Sequence, residues 1–353
     1  MKRRKTQPVK IGKLVIGADA PVTVQSMLNT KNGDIDAAVQ QSMELQEAGC
    51  DIIRLAVTNN QSIDVVRALK KAVCVPLVAD IQFDYKMALK AIDAGIDKIR
   101  LNPGNIGSED KVKSVVSAAA ERSIPIRVGV NSGSVSQEIA ARFGRYSAEG
   151  LVEEAMRHIH ILQDCNFDDI VVSLKASDVS TMIESYRLMA SKCCYPLHLG
   201  VTEAGTSYSG TVKSAVGIGT LLAEGIGDTI RVSLTDRPVE EIRAGIEILK
   251  ALGLKKDGPT FVSCPTCSRC SIDLISIAKE VESRLAKTRA NIKVAVMGCV
   301  VNGPGEAQDA DIGITGANGE GLIFKKGNIV KRVPEDKIVD ELFLEIDALA
   351  KER

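Results

Sequence analysis

Residues 76–102 read PLVADIQFDYKMALKAIDAGIDKIRLN. This stretch holds two short runs that are apolar at nearly every position, Pro76–Ile81 and Lys98–Asn102, with a longer alanine-containing stretch of helical spacing between them. Strands that are apolar on both faces are typical of a parallel sheet covered by helices. The stretch therefore predicts a strand, a helix and a second strand parallel to the first.

The same alternation continues on both sides of this stretch. Eight such units in about 250 residues favour a closed (β/α)8 TIM-type barrel of the α/β class over residues 1–255. An open doubly wound sheet is the alternative, because one sequence does not reveal strand order. The eight predicted strands are Val22–Met27, Ile52–Val57, Pro76–Ile81, Lys98–Asn102, Pro125–Asn131, Asp169–Lys175, Pro196–Thr202 and Thr229–Leu234. Predicted helices include Ala37–Ala48, Ile63–Ala72, Lys111–Glu121 and Glu149–Gln163.

The alternation stops after a predicted helix at Val239–Leu252. The residues that follow, Lys255–Pro259, combine turn and helix-breaking types and predict a linker. Residues 260–353 are enough for a small α+β domain. Its predicted elements are a helix at Ile272–Leu285, a strand at Ile292–Met297, two short β segments and a final helix at Glu335–Ala350.

Composition excludes several classes of protein. The 353 residues contain 45 Lys+Arg and 45 Asp+Glu with 3% aromatics, so a broad basic face or a stacking platform for nucleic acid is not expected. The basic start Met1–Lys5 is followed by Thr6–Lys10 rather than an apolar stretch, and no apolar run approaches about 18 residues. We therefore expect a cytoplasmic protein without a membrane partner, whose nine cysteines are reduced thiols.

Four predicted strands share a local pattern of Ile, Arg and an aliphatic residue, at Arg54, Arg100, Arg127 and Arg231. An arginine in an apolar strand is unfavourable unless it meets an anion or a carboxylate. Because strand side chains alternate faces, each of three arginines shares its face with a polar residue further along the strand, and Lys175 adds a fifth cation near a strand end. Guanidinium groups match phosphate oxygens, so the pattern predicts a site for a phosphate ester at the barrel mouth. The polar residues are Asn102, Asn131 and Ser233. The alternative interpretation is that the arginines pair with Asp or Glu in a structural network inside the barrel instead of binding a phosphate.

Two carboxylates are expected at the same end of the barrel. Asp80 and Glu203 could each hold an arginine, but a carboxylate among cations at a strand end is also a candidate general acid or base. His198 lies in the predicted strand that precedes Glu203 and is a weaker candidate for substrate binding, since a single histidine is more often part of the core.

Four cysteines form the second candidate site. Cys264, Cys267 and Cys270 follow a C-x2-C-x2-C spacing, and Cys299 lies further along the chain. Zinc sites usually show two symmetric pairs, whereas three thiolates plus one distant thiolate are commoner for a [4Fe–4S] cluster. The spacing leaves open whether Cys270 is a ligand or a bystander. The other five cysteines, scattered over the predicted barrel, are expected to be structural.

Several segments together resemble the 4-hydroxy-3-methylbut-2-en-1-yl diphosphate synthase family, over nearly the whole chain. The resemblance implies a reductive opening of 2-C-methyl-D-erythritol 2,4-cyclodiphosphate with two electrons from flavodoxin or ferredoxin. It also implies a C-terminal domain, similar to one in sulfite and nitrite reductases, that holds a [4Fe–4S] cluster with an open or displaceable iron site. The segments are Val22–Met27, Val78–Ile81, Leu101–Gly107, His198–Gly205, Cys264–Cys267 and Gly298–Glu306.

The resemblance also assigns residues. It places three thiolate ligands at Cys264, Cys267 and Cys299, a carboxylate ligand at Glu306, the proton donor at Glu203 and a substrate contact at Asn302. A thiol at Cys270 departs from the family and leaves an all-cysteine cluster open. The phosphate-binding positions fall on Arg54, Arg100, Asn102, Arg127, Asn131, Lys175, Arg231 and Ser233.

The short linker before Cys264 matches the two-domain form of the family. That form implies a homodimer in which the cluster domain of one subunit caps the barrel of the other. Three other functions stay open at the level of sequence: a non-redox barrel enzyme with a structural zinc domain, an iron–sulfur electron-transfer or cluster-handling protein, and a non-catalytic sensor of a phosphorylated ligand.

Overall fold

The computed structural model describes residues 2–256, 258–286, 288, 290–301, 305, 307–317 and 319–352. The chain folds as two compact units, Met1–Lys255 and Lys256–Arg353. The strands of the first unit are β1 (Val9–Ile11), β2 (Leu14–Ile16), β3 (Thr23–Met27), β4 (Ile52–Ala56), β5 (Leu77–Asp80), β6 (Lys98–Leu101), β7 (Ile126–Asn131), β8 (Ile170–Lys175), β9 (His198–Leu199) and β10 (Thr229–Ile230). Its helices are α1 (Ile35–Glu47), α2 (Asn60–Ala72), α3 (Tyr85–Asp93), α4 (Pro103–Ile106), α5 (Glu109–Glu121), α6 (Gln137–Phe143), α7 (Ala148–Gln163), α8 (Val179–Lys192), α9 (Ser207–Ala223) and α10 (Pro238–Ala251).

Strands β3 to β10 form one parallel sheet that closes on itself. Neighbouring strands follow the order β8-β7-β6-β5-β4-β3-β10-β9. The two end strands meet where Val172 in β8 bridges Leu197, and the Val172 N–H donates to the Pro196 carbonyl at 2.9 Å. At least one helix follows each strand along the chain. The predicted TIM-type barrel is confirmed, and the doubly wound alternative is wrong.

Two predicted strands are much longer than the observed ones, whereas the other six differ by one or two residues. β9 and β10 keep ladder pairing over only two residues each, whereas Pro196–Thr202 and Thr229–Leu234 were expected to be strands. Beyond β9 the backbone leaves the extended region, with φ of 53° at Glu203 and 113° at Gly205. The Thr235 N–H then donates to the Gly205 carbonyl at 2.9 Å, so the two loops hold each other at the barrel mouth.

Several barrel helices begin directly after a residue whose side chain accepts one of their free backbone N–H groups. Such N-caps satisfy donors that have no partner inside the helix and mark where the chain leaves the strand–helix loop. They are Asp34 for α1, Asn59 for α2, Asp84 for α3, Ser147 for α7 and Asp178 for α8.

A hairpin that the sequence analysis missed closes the amino-terminal end of the barrel. β1 and β2 pair antiparallel, and the side chains of Val9, Ile11 and Ile16 are buried with barrel residues of β4, β5 and β8 in one cluster. Two lysines and Gly12 divide residues 9–16 into apolar pieces too short to be recognised as strands. Burial of alternate side chains on one face of the hairpin explains the pattern.

The second unit is built on a single five-stranded sheet. The sheet order is β11-β12-β13-β14-β15, parallel among the first three strands and antiparallel thereafter. The α+β content is as expected, but β11 was not predicted and three strands replace the two short β segments. The elements are β11 (Thr260–Ser263), α11 (Leu274–Leu285), β12 (Lys293–Met297), β13 (Ile312–Ala317), β14 (Glu320–Lys325), β15 (Asn328–Pro334) and α12 (Ile338–Glu352).

Both helices of this unit contribute to one core. Ile277 and Val281 of α11 and Leu342 of α12 are buried with Val294 and Ile314 from the central strands. In the part of the chain that the structure describes, no helix is long and apolar enough to span a bilayer.

The hairpin makes a first prediction. Ile11 is fully buried in its cluster, whereas the Val15 side chain on the opposite face is 42% exposed. Replacing Ile11 with alanine should lower the free energy of unfolding of the barrel by about 2–5 kcal/mol, because it leaves a cavity at the closed end. The matched change Val15→Ala should cost about 0.5 kcal/mol or less. Urea unfolding of both variants measures this, and equal effects would contradict a sealing role for the hairpin.

Candidate functional site

The pairing register identifies which side chains face the barrel interior. Residues paired across parallel strands point to the same face, and Asp80, Arg100 and Arg127 are paired in that order across β5, β6 and β7. Arg127 is also paired with Val171, which packs against the hairpin inside the barrel. Thus these three charged groups point inward, as the alternation of strand side chains predicted.

Asp80 bridges two of the arginines. The Arg100 Nη1 donates to Asp80 Oδ1 at 3.1 Å, and Arg54 Nη2 lies 3.5 Å from Asp80 Oδ2. Arg100 also donates from Nη2 to the Gly129 carbonyl at 3.2 Å. A Cβ at Gly129 would come within 2.6 Å of Arg100 Nε, so any larger residue at position 129 would collide with the guanidinium group. Backbone and carboxylate together hold Arg100 in one orientation.

A second carboxylate, which the sequence analysis did not identify, holds Arg231. Glu241 of α10 lies 3.2 Å from Arg231 Nη2 and accepts a hydrogen bond from the Ser26 hydroxyl at 2.7 Å. The Leu234 N–H donates to the same carboxylate at 3.1 Å. Glu241 therefore joins strand β3, the loop after β10 and helix α10 behind the arginine.

Further inside the barrel lies a set of buried polar side chains that we call the inner cluster: Thr23, Gln25, Lys98, Arg127 and His198. Each is at most 3% exposed. Among the described residues, none supplies a hydrogen-bond partner to Lys98 Nζ, Arg127 Nε and Nη1, His198 Nε2, Thr23 Oγ1 or either side-chain polar atom of Gln25. Buried donors and acceptors are normally paired with protein, water or ligand. These groups therefore have hydrogen-bonding capacity that water or a polar ligand can satisfy.

Burial and mutual repulsion perturb these cations. Burial, followed by the neighbouring Arg127 and Arg54, lowers the pKa of Lys98 well below its usual value. Burial also lowers the pKa of Lys175, with Arg231 the next largest cause. Loss of charge on an amine is the expected response when cations crowd together without enough counter-charge.

The pKa of Asp80 is lowered as well, but for a carboxyl group this favours the charged form. Burial alone would raise its pKa, but Arg54, Arg100 and Arg127 outweigh that effect and lower the pKa below its usual value. The carboxylate is therefore ionised at neutral pH and is a poor proton donor.

Glu203 sits at the mouth in a strained backbone conformation. Its φ of 53° lies in the left-handed region that non-glycine residues seldom occupy, and such residues cluster at functional sites. Its carboxylate is solvent-exposed and accepts a hydrogen bond of 2.6 Å from the Ser177 hydroxyl, two residues beyond Lys175. The loop conformation thus brings Glu203 beside the end of β8.

The other sequence-identified residues are distributed between mouth and interior. Asn102 is buried, and its Oδ1 accepts the Gly104 N–H at 3.1 Å at the start of α4, so part of the amide is used structurally. Asn131 is exposed at the end of β7, and Ser233 is half-buried after β10. His198 is fully buried, with Nδ1 3.3 Å from Thr229 Oγ1, and lies in the interior rather than at the mouth.

The second unit brings four thiols to one pocket. β11 and β12 are parallel neighbours, so Cys264 and Cys299, which follow them, lie at the same sheet edge. Cys267 and Cys270 complete the lining of that pocket. The Gly298 N–H donates to Cys264 Sγ at 3.2 Å, and hydrogen bonds from the backbone N–H and side chain of Arg269 lower the pKa of the Cys267 thiol. The hydrogen bonds from Arg269 therefore favour the thiolate form of Cys267.

These thiols fit an iron–sulfur cluster better than a single ion. Among the described residues, no three His, Cys, Asp or Glu side chains converge on one point as a single metal ion requires. A four-iron cluster places its thiolates on different irons, so they surround a volume instead. Asn302 and Glu306, which the resemblance assigned to this region, lie outside the described residues.

Four inward or supporting groups were not identified from the sequence. Thr23, Gln25 and Lys98 lie on the inward face of strands that were predicted, and the alternation that selected Arg100 would also have selected Lys98 two residues earlier. Glu241 had no such signal, because nothing in a helix sequence shows which strand its carboxylate meets.

Lys98 provides a test of the interior electrostatics. Replacing it with methionine removes a buried amine without a partner among the described residues and should raise the stability of the ligand-free protein, by about 1–4 kcal/mol at neutral pH. Because the folded-state pKa is lowered, the unfolded chain binds more protons between that pKa and 10.5, so wild-type stability should rise with pH there. The gap between variant and wild type should therefore narrow toward pH 10.

Urea unfolding at several pH values measures this gap. The exposed Lys86, changed to methionine, is the matched control and should leave stability nearly unchanged. Destabilisation by Lys98→Met would show that the amine has a favourable partner in the folded, ligand-free barrel.

Comparison with known proteins agrees with this geometry. The GcpE TIM-barrel domain family matches residues 6–246, and the GcpE protein C-terminal domain family matches residues 260–348. The 4-hydroxy-3-methylbut-2-en-1-yl diphosphate synthase (flavodoxin) of Clostridium perfringens is 58% identical, over 99% of this chain and 100% of the relative. The enzyme of the same name from Geobacillus thermodenitrificans is 57% identical over 99% of this chain and 94% of the relative.

Solved structures support the fold alone. The 3-dehydroquinate dehydratase of Geobacillus kaustophilus matches with a TM-score of 0.51 at 12% identity, over 71% of this chain and 99% of that chain. The structural match indicates a shared barrel fold, and at such low identity it says nothing about the chemistry of this chain. The two family domains and the full-length relatives decide the assignment: the chain belongs to the 4-hydroxy-3-methylbut-2-en-1-yl diphosphate synthase family and is an oxidoreductase of that family.

Proposed function

We propose that the barrel mouth binds 2-C-methyl-D-erythritol 2,4-cyclodiphosphate and that this chain converts it reductively into 4-hydroxy-3-methylbut-2-en-1-yl diphosphate. The observation that carries the proposal is the unbalanced charge inside the barrel. Six basic side chains converge there, and the carboxylates that pair with them are Asp80 and Glu241. The six are Arg54, Lys98, Arg100, Arg127, Lys175 and Arg231.

A diphosphate supplies what these side chains lack. Its oxygens accept several hydrogen bonds at once, and planar guanidinium groups bind such oxygens in pairs. An anion beside Lys175 also favours its charged form, so binding should be accompanied by proton uptake. The polar residues Asn102, Asn131 and Ser233 complete the binding site in this proposal, and the buried His198 shapes its inner end.

The two carboxylates at the mouth have different roles in the proposal. Asp80 is ionised and bridges Arg54 and Arg100, so it positions the phosphate-binding arginines and does not donate a proton. Glu203 is free of arginine contacts among the described residues and is held by the Ser177 hydroxyl. We assign to it the delivery of a proton to the departing oxygen.

We also propose that the thiol pocket binds a [4Fe–4S] cluster through Cys264, Cys267 and Cys299; the lining of the pocket by these residues supports this proposal. When bound, the cluster supplies single electrons, and flavodoxin or alternatively ferredoxin is the proposed source. The resemblance adds Glu306 as an oxygen ligand at a displaceable iron site, Asn302 as a substrate contact, and a relationship of this unit to sulfite and nitrite reductase domains.

The overall conversion takes up two electrons and two protons. The ring C–O bond and the C–OH bond of the neighbouring carbon break, and the two electrons leave a C=C double bond between these carbons. The diphosphate stays on the product, its freed oxygen takes one proton, and the hydroxyl leaves with the other as water. The arginines and Lys175 keep the diphosphate in place during these changes, and Glu203 provides a proton for the water. Binding through the diphosphate thus orients the carbon skeleton relative to Glu203.

Glu203→Gln tests this division of roles. The variant should bind the cyclic diphosphate as wild type does but turn it over about 10²–10⁴ times more slowly, since a positioned acid contributes that much. Anaerobic turnover with a strong reductant and calorimetric binding measure the two properties. The exposed Glu121 at the end of α5, changed to glutamine, is the matched control.

Absence of reductive turnover in the iron-loaded wild-type protein would overturn the proposed function itself. Full turnover in Glu203→Gln would remove only Glu203 from its role.

We also propose a homodimer in which the second unit of each subunit serves the barrel of its partner. Co-expression of Glu203→Gln and Cys264→Ala subunits under different affinity tags tests this. A mixed dimer then has one site with an intact barrel and an intact cluster from opposite subunits, so it should recover about half of the wild-type activity per dimer. Each variant homodimer should be inactive. An inactive mixed dimer would show that barrel and cluster of the same chain work together.

A further inference from the structure

We infer that Glu154 of α7 is a positioning residue for the diphosphate site. It holds the loops after β6 and β7, and with them Asn102 and Asn131, in the arrangement that binds the substrate. This inference rests on the proposed function, because the two asparagines are substrate-binding residues only in that proposal. It adds a residue that neither the resemblance nor the strand pattern selects.

Glu154 is a buried carboxylate with partners on both of its oxygens. Its side chain is 1% exposed. The Ser136 N–H donates to Oε2 at 2.8 Å, Arg157 Nη2 donates to Oε1, and His158 Nε2 lies 3.0 Å from Oε1. Arg157 and His158 follow Glu154 by three and four residues, so all three side chains lie on the same side of α7.

These contacts keep the carboxylate charged. Burial alone would raise the pKa of Glu154, but His158, the Ser136 N–H and Arg157 outweigh that effect and lower the pKa below its usual value. An ionised carboxylate accepts stronger hydrogen bonds than a neutral group does. Glu154 can therefore hold the segments on either side of it firmly.

One carboxylate oxygen fixes the loop after β7. Asn131 ends this strand, and Ser136 precedes α6 five residues later. Between them, the Ser134 hydroxyl accepts the Asn131 N–H at 3.0 Å and donates to the Asn131 carbonyl at 2.8 Å. The turn is thus held at its start by Ser134 and at its end by Glu154.

The other carboxylate oxygen acts on the loop after β6 through Arg157 and His158. An added Cβ at Gly104 would lie 2.9 Å from His158 Nε2 and 3.5 Å from Arg157 Nη2. The N–H of this glycine donates to Asn102 Oδ1 at 3.1 Å. The two side chains that Glu154 holds therefore pack against the residue that orients the Asn102 amide.

A buried carboxylate with a different position shows the contrast. Asp228 is 2% exposed, pairs with Arg3 at 3.0 Å and accepts the Leu197 N–H at 2.8 Å. It directly precedes β10, and Leu197 directly precedes β9, so these contacts lie at the end of the barrel opposite the mouth. Glu154 instead connects two segments that follow the carboxyl ends of strands, where barrel enzymes bind their substrates.

Glu154→Gln tests the inference in the iron-loaded protein. Glutamine keeps the size of the side chain but has a single oxygen, so it can accept from one loop and not from both. Calorimetry should give a dissociation constant for the cyclic diphosphate about 10–100 times that of wild type, since hydrogen bonds to a charged ligand are worth such a factor. The kcat with a strong reductant should change by less than about threefold, because Glu203 and the thiol pocket are untouched.

Ser136→Pro is a second variant that leaves the carboxylate in place. Ser136 has a φ of −62°, which proline adopts without strain, and Val135 has the extended backbone that precedes proline readily. The substitution removes the N–H that Glu154 accepts. It should raise the dissociation constant by about tenfold, again with little change in kcat.

Asp228→Asn is the matched control, because it also replaces a buried, paired carboxylate by its amide. It should lower the unfolding temperature but leave the dissociation constant within about twofold of wild type. A structural role alone would make Glu154→Gln behave in the same way.

The outcomes separate this inference from the proposed function. Wild-type affinity in Glu154→Gln or in Ser136→Pro, a loss confined to kcat, or an equal loss of affinity in Asp228→Asn would overturn the positioning role and leave the proposed function intact. If Glu154→Gln does not fold, Ser136→Pro decides. A wild-type protein that neither binds nor turns over the cyclic diphosphate would overturn both.

Discussion

The bridge from Asp80 to Arg54 and Arg100 is the interaction on which the barrel site depends. Two guanidinium groups share one carboxylate, and Arg127 is paired next to Arg100 on the following strand. Without Asp80 these cations would be buried together with little counter-charge, which proteins tolerate only at high free-energy cost. Asp80 lets them be buried but leaves their charge in excess, so the fold retains affinity for an anion.

The incomplete satisfaction of the inner cluster follows from the same constraint. A fully paired interior, with a carboxylate for each cation, would be more stable and would have no reason to bind phosphate. The barrel instead places lysines where burial lowers their pKa and leaves donors of Lys98 and Arg127 without partners among the described residues. Stability and binding therefore oppose each other in this interior, as is common at functional sites.

Sequence periodicity predicted the barrel well because the fold is repetitive. Each strand had to be apolar on both faces, and the arginines stood out against that background. The hairpin at residues 9–16 was missed because each of its strands is only three residues long, too short to show an alternation of apolar and polar residues. The lengths of β9 and β10 were also wrong, because apolar content does not show how far the ladder pairing continues, and each strand is paired over only two residues.

Within the site, the alternation of side chains along strands could identify inward-facing residues on strands, but it could not identify contributing residues on helices. Arg100 and Arg127 were selected because strand direction determines where their side chains point. Glu241 approaches from α10, and its contact with Arg231 depends on how that helix packs. The same holds for the thiols: spacing suggested a cluster, but only the parallel pairing of β11 and β12 explains why Cys299 joins Cys264.

The central claim is that the excess charge inside the barrel is the binding site for the cyclic diphosphate. A crystal structure of the complex tests it most directly. The account predicts phosphoryl oxygens within hydrogen-bond distance of Arg100, Arg127 and Lys175, with Asp80 still bridging Arg54 and Arg100. A diphosphate bound away from these side chains, or an interior whose unpaired donors are unchanged by the ligand, would contradict it.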